Sequence, residues 1–157
     1  MDRPITGFEE DDQRDWVAHL SCGHRQHVRH KPPFALRPWV VTPEGRESKL
    51  GALLACPACD RLERPLSFEP YKRTPVFTEE TVPRALLADH TTKAGVWGRI
   101  EVLEGALAYD VPSLSLVFEL RPGEDGSVAP EVPHHVTPRG AVRFFVEFYR
   151  APVGNQR

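Results

Sequence analysis

No apolar run in these 157 residues approaches the roughly 20 needed to cross a bilayer, so a membrane-spanning helix is not expected. The opening Met1-Asp2-Arg3-Pro4 lacks the apolar core of a signal peptide, and the expected compartment is the cytoplasm. Charge of one sign is also missing. A formal net charge of −2 gives no reason to expect a polyanion partner. Cysteine is scarce: there are three, an odd number, two of them spaced as Cys-x-x-Cys. That pattern fits metal ligation better than a disulfide framework. What is plentiful is proline, at sixteen, which argues for short elements and against long helices. With 40% hydrophobic and 27% charged residues the chain reads as globular, not disordered.

All three cysteines and three of the seven histidines lie in two short pieces, Ser21 to His30 and Cys56 to Cys59. Zinc takes four ligands at tetrahedral corners, with thiolate and imidazole as usual donors. Cys56-Pro57-Ala58-Cys59 is a strong half-site, because its tight turn brings both sulfurs to one ion. Cys22-Gly23-His24 supplies the other half. The expected structural zinc set is Cys22, His24, Cys56 and Cys59, with His27 the rival for the fourth place and His30 third. Four protein ligands leave no open position, so the metal's expected role is folding. The pair of half-sites resembles the Cys-x-His plus Cys-Pro-x-Cys set of one RING-type zinc site. The second RING site has no counterpart, and ubiquitin ligation does not follow.

Around these ligands, Ile5–Phe8 and Trp16–Leu20 read as strands joined by an acidic tip, and Trp39-Val40-Val41 as a third strand. Thr42-Pro43-Glu44 predicts a helix start with Thr42 as N-cap. That helix would run to about Leu54, with Leu50, Leu53 and Leu54 as its apolar stripe. Residues 21–49 carry six Lys/Arg against two Glu. The stretch from Cys22 to Pro33, with Arg37 to Val40, Gly45-Arg46 and Cys56/Cys59, resembles a family of small bacterial domains of unknown function. The surplus polar residues (His27, Arg29, His30, Arg37, Arg46) offer a basic face for an anion or a protein partner, or pack on Trp39. Nucleic acid is not expected, because aromatics other than Trp39 are not interleaved with the basic residues.

Residues 1–62 thus form a Cys/His module, 63–70 a short linker with Pro65 and Pro70, and 71–157 a second domain. There, segments at 85–88, 96–103, 106–109, 114–120 and 142–149 read as strands, separated by turns at Glu104-Gly105, Asp110-Val111-Pro112, 122–126 and Pro138-Arg139-Gly140. The last strand is apolar on both faces and is expected to be central. The fold class is mainly β: a small zinc-stabilised α+β module, then a cupin-like double-stranded β-helix or sandwich.

Val102-Leu103-Glu104-Gly105 is similar to the glycine turn of cupins, and Pro133-His134-His135 to their later motif. More narrowly, Tyr71 to Pro75, His90 to Gly98, Pro133 to His135 and Phe144 to Phe148 resemble the YeaR/TehB-like cupin-like family. That resemblance implies an association with tellurite resistance and with nitrate or nitrosative stress, and no fixed reaction. It also implies a metal held by His and Glu at a barrel mouth. No His-x-His precedes the glycine turn, and Gly98 stands where the motif's Glu would fall. What remains is His90, His135 and Glu147 for a second divalent metal (Zn, Fe or Mn), with Lys93 and Arg99 as anion contacts. The register of the motif favours His135 over His134.

Two functions follow as expectations. One is a metal-binding protein that acts on or senses a small molecule or oxyanion at the His/His/Glu site. The other is a non-enzymatic redox-sensing adaptor that uses the zinc module and its basic face. A homodimer is compatible with both.

Overall fold

The computed structural model describes residues 1–154. They form two compact units, Met1–Arg61 and Leu62 onward. No helix is long and apolar enough to cross a membrane among these residues.

In the first unit, β1 (Asp2–Glu10) and β2 (Trp16–Leu20) form the expected antiparallel hairpin around the acidic tip. Ile5, Val17, Ala18 and Leu20 are its buried apolar residues. The sheet is completed by β3 (Arg25–His27) beside β2 and β4 (Leu53–Ala55) beside β1, in the order β3-β2-β1-β4. Two expectations are corrected here. Pro38–Val41 is a 3-10 turn, not a strand. The helix α1 starts as expected, with the Thr42 hydroxyl accepting from Gly45 N at 3.0 Å, but it spans only Pro43–Ser48. Gly51, at φ 84°, turns the chain away, and Leu53 and Leu54 join β4. The leucine stripe never forms, and Leu50 and Leu53 stay exposed. Cys56 is therefore delivered by a strand, and the one-turn helix α2 (Pro57–Asp60) carries Cys59.

The second unit is built on two long antiparallel strands, β7 (Trp97–Val111) and β10 (His135–Arg150). On the outer side of β10 lie β5 (Glu69–Arg73) and β6 (Phe77–Thr78). On the outer side of β7 lie β8 (Leu116–Leu120) and β9 (Gly126–Val128). β10 is central, as its two apolar faces predict. The 85–88 segment is instead a helical turn, α3 (Arg84–Leu87).

The main correction concerns turns. Glu104-Gly105 and Pro138-Arg139-Gly140 do not reverse the chain; they lie inside β7 and β10. The register slips between Pro138 and Val142, opposite Leu107 and Gly105. Gly105 has φ 79°, and a Cβ there would stand 2.0 Å from the Ala141 carbonyl oxygen. The glycines bend paired strands at one crease, and one continuous six-stranded sheet curls around the core of Trp97, Tyr109, Phe144, Ile100 and Leu107.

Candidate functional sites

Cys22, His24, Cys56 and Cys59 come together in the first unit, all four ligand atoms lying within 4.8 Å of one another. His24 Nδ1 is 3.3 Å from Cys22 Sγ, 3.4 Å from Cys56 Sγ and 3.6 Å from Cys59 Sγ. Cys22 and Cys56 sulfurs are 3.8 Å apart. Usual zinc bond lengths give tetrahedron edges of about 3.8 Å between sulfurs and about 3.6 Å between nitrogen and sulfur. The donor set fits that ion in type, number and spacing.

The thiols are buried, and with protons on they share them unequally. Donation to Cys22 and burial push the Cys59 thiol up to about 12, while Cys22 is held below its ordinary value by accepting from Cys59. Arg3, on β1, is 5% exposed, its Nε and one terminal nitrogen lack hydrogen-bond partners, and a side-chain hydrogen bond from its guanidinium lowers the Cys59 thiol, in the opposite sense to burial. A buried cation beside Cys59, with no carboxylate partner among the described residues, matches the net −1 charge that a zinc ion would have when bound by three thiolates and one imidazole.

His27, the rival for the fourth place, lies outside this cluster, with its Nε2 2.9 Å from Asp11 Oδ2. The other surplus polar residues also have structural partners. Arg29 donates to Asp15 at 2.8 Å, and His30 Nδ1 accepts from Arg37 N at 3.0 Å. Arg46 lies 3.7 Å over the Trp16 ring, not Trp39, and donates to Val40 O at 2.7 Å.

In the second unit, the three residues expected to share a metal are not brought together. β10 alternates its side chains, and Val136, Phe144, Val146 and Phe148 face a cavity of about 280 Å³. His135 and Glu147 are on the other face. His135 Nδ1 is 2.7 Å from Asp89 Oδ1. Glu147 takes Arg73 at 2.9 Å, Arg99 at 3.4 Å and the Tyr149 hydroxyl at 2.8 Å. Burial pushes the Glu147 carboxyl up, but Tyr149 and the two arginines outweigh it and hold it below its ordinary value. Arg99 is spent in the same network, with Glu101 at 2.8 Å and Asp125 at 3.0 Å. It is not an anion contact of the cavity.

The cavity instead has His90, His134 and Lys93 on its lining, with Tyr71, Lys72 and Thr92. Ile100 and Val128 add to its apolar wall. His134 is 4% exposed, tilted at 54° against the His90 ring with centroids 4.2 Å apart and in a T-shaped contact with Tyr109 at 5.9 Å. Burial is the chief cause that lowers its pKa to about 4. Of the His134-His135 pair, His134 lines the cavity and His135, the one that motif register favours, does not. The missed signal is that Val132 and Val136, both buried, put His134 on the inner face by strand alternation.

Comparisons with known proteins divide the chain in the same way. Residues 6–63 match the family described as "Protein of unknown function (DUF3565)", and residues 72–146 match the TehB-like domain. A 74-residue stretch, 47% of this chain, is 35% identical to the probable S-adenosyl-L-methionine-dependent methyltransferase TehB of Haemophilus influenzae (strain ATCC 51907 / DSM 11121 / KW20 / Rd). It is 34% identical to the protein of the same name from strain 10810. The match spans only 22% of the length of each of these relatives. Among solved structures, a protein from E. coli (strain K12) aligns at TM-score 0.50 and 26% identity, covering 56% of this chain and 95% of that one. TehB from Haemophilus influenzae aligns at TM-score 0.50 and 25% identity, covering 55% and 32%. The chain is thus similar over its two halves to a domain of unknown function and to the TehB-like domain, while the YeaR and cupin labels rest on motif likeness alone.

Proposed function

We propose that this chain is a zinc-containing, small-molecule-binding protein. Zinc, held by Cys22, His24, Cys56 and Cys59, folds the first unit, since four protein ligands leave it no open position. The cavity of the second unit takes a small molecule or oxyanion, in keeping with the stress association that the TehB-like resemblance implies. The observation that carries this reading is His134. Burying an imidazole in an apolar core is costly, and here the ring lines a cavity rather than filling it. Methyl transfer is left to the rest of the relatives' length. Every named strand pair among the described residues is antiparallel, whereas a doubly wound nucleotide-binding fold needs parallel strands.

The test is calorimetry of the whole zinc-loaded protein with tellurite, selenite, nitrite and a panel of small organic acids, beside Val146→Trp, which fills the cavity. Binding by at least one probe to the natural chain and not to the filled variant is expected. Equal heats in both, or none at all, would overturn the reading.

A second reading is favoured by Arg3, a buried cation whose side-chain hydrogen bond to Cys59 acts against the burial that raises that thiol. Peroxide would take two electrons from a thiolate pair, leaving a disulfide and water and releasing zinc. The protein would then act as a redox-sensing adaptor through its basic face. Zinc that stays bound through peroxide or nitric oxide exposure removes this reading.

A further inference from the structure

We propose, resting on the reading of the second unit's cavity as a ligand site, that it selects weak organic acids with an apolar body, bound with the acidic proton shared with Nε2 of His90 or His134. The argument begins in the backbone. His90 and His134 face each other in an isolated antiparallel bridge, each donating its N–H to the other's carbonyl at 3.0 Å. That pairing puts both rings on one side. Each Nδ1 then meets a carbonyl, His90 with Ala88 O at 2.9 Å and His134 with Val132 O at 2.9 Å. A carbonyl only accepts, so each Nδ1 carries the hydrogen and each Nε2 of the neutral ring keeps its lone pair.

Two acceptors on a lining that also carries Lys72 and Lys93 call for a ligand that brings a proton and tolerates positive charge beside it. A phenol or carboxylic acid does both. Its O–H donates to Nε2, and if the proton crosses, the products are an imidazolium and an anion next to the lysines. The anion of a strong acid brings no proton, and its oxygens would meet the lone pairs of the imidazoles. Taking a proton from water is unfavourable for His134, because burial has lowered its pKa to about 4. The groups that act on it are His90, Asp89, His135 and Tyr109. The apolar wall of Ile100, Val128, Phe144 and Val146 has no use for a bare oxyanion and fits a ring.

The test compares 2-naphthol, 2-naphthoate and naphthalene-2-sulfonate at neutral pH by calorimetry on the whole chain, with imidazole ¹⁵N NMR. The expected result is that naphthol and naphthoate bind at least tenfold tighter than the sulfonate, naphthoate with proton uptake. The Nε2 resonances of His90 and His134 should move, and His134→Gln should weaken both ligands at least tenfold. The NMR readout on the natural chain stands even if the variant does not fold. Equal binding of the sulfonate, unmoved Nε2 resonances, or an unaffected variant that folds would overturn the inference. If only tellurite or selenite binds, the inference falls and the cavity remains a ligand site. If no probe binds, both fall.

Discussion

His90 and His134 are locked opposite one another by two backbone hydrogen bonds of 3.0 Å, and their rings meet at a tilt, centroids 4.2 Å apart, on the wall of a cavity. Between about pH 4 and 6.5 the arrangement holds a buried, neutral imidazole where water would favour its charged form. Its folded-state pKa of about 4 lies below the ordinary 6.5, so the unfolded chain binds this proton first. Stability from this group is complete above about pH 6.5 and is lost as pH falls toward 4, by up to about 3 kcal/mol. Denaturant melts of the natural chain and His134→Phe between pH 7 and 4 check this. The variant should lose less stability over that range.

Loss of a thiolate should be far more damaging than loss of the rival imidazole. Cys59→Ser removes a ligand from a centre whose apparent binding energy is of the order of 10–16 kcal/mol. It should release zinc and unfold the first unit. His27→Asn breaks only the exposed contact to Asp11, should change stability little, and should keep the full zinc content. Metal analysis with circular dichroism separates the two outcomes.

The role of Arg3 gives a third expectation. Replacing it by Met preserves the bulk in β1 and removes the counter-charge beside Cys59. Changes around metal ligands commonly cost about 10–100-fold in affinity. Arg3→Met should therefore lose zinc to a chelating dye about tenfold faster, with the fold intact. An unchanged rate would assign Arg3 to packing alone.

Glu147→Gln tests the correction made to the second metal. The carboxylate sits at 13% side-chain exposure between Arg73 and Arg99. Its loss should lower stability by about 1–3 kcal/mol, because the arginines lose a shared partner, and should leave the metal content unchanged.

The Cys/His centre was legible because its chemistry is local: a Cys-x-x-Cys turn and a Cys-x-His turn each aim two donors at one point, whatever delivers them. The delivery itself was not, since Leu50, Leu53 and Leu54 satisfy a helical period that Gly51 interrupts. Glycine and proline likewise signal a departure from regular strand without saying whether the chain turns or bends. At Gly105 and Pro138-Arg139-Gly140 it bends, because β7 and β10 stay paired on both sides of the crease. The cavity's histidine was missed for a related reason. A one-residue choice between His134 and His135 reverses the face, and the choice here was made from motif register rather than from the burial of Val132 and Val136.

The division of labour between a closed zinc centre in one unit and a ligand cavity in the other is tested most directly by X-ray absorption at the zinc edge of the whole purified protein. One zinc per chain with three sulfur neighbours at about 2.3 Å and one nitrogen at about 2.0–2.1 Å is the predicted result. A shell of nitrogen and oxygen alone, or a second tightly bound metal per chain, would contradict it.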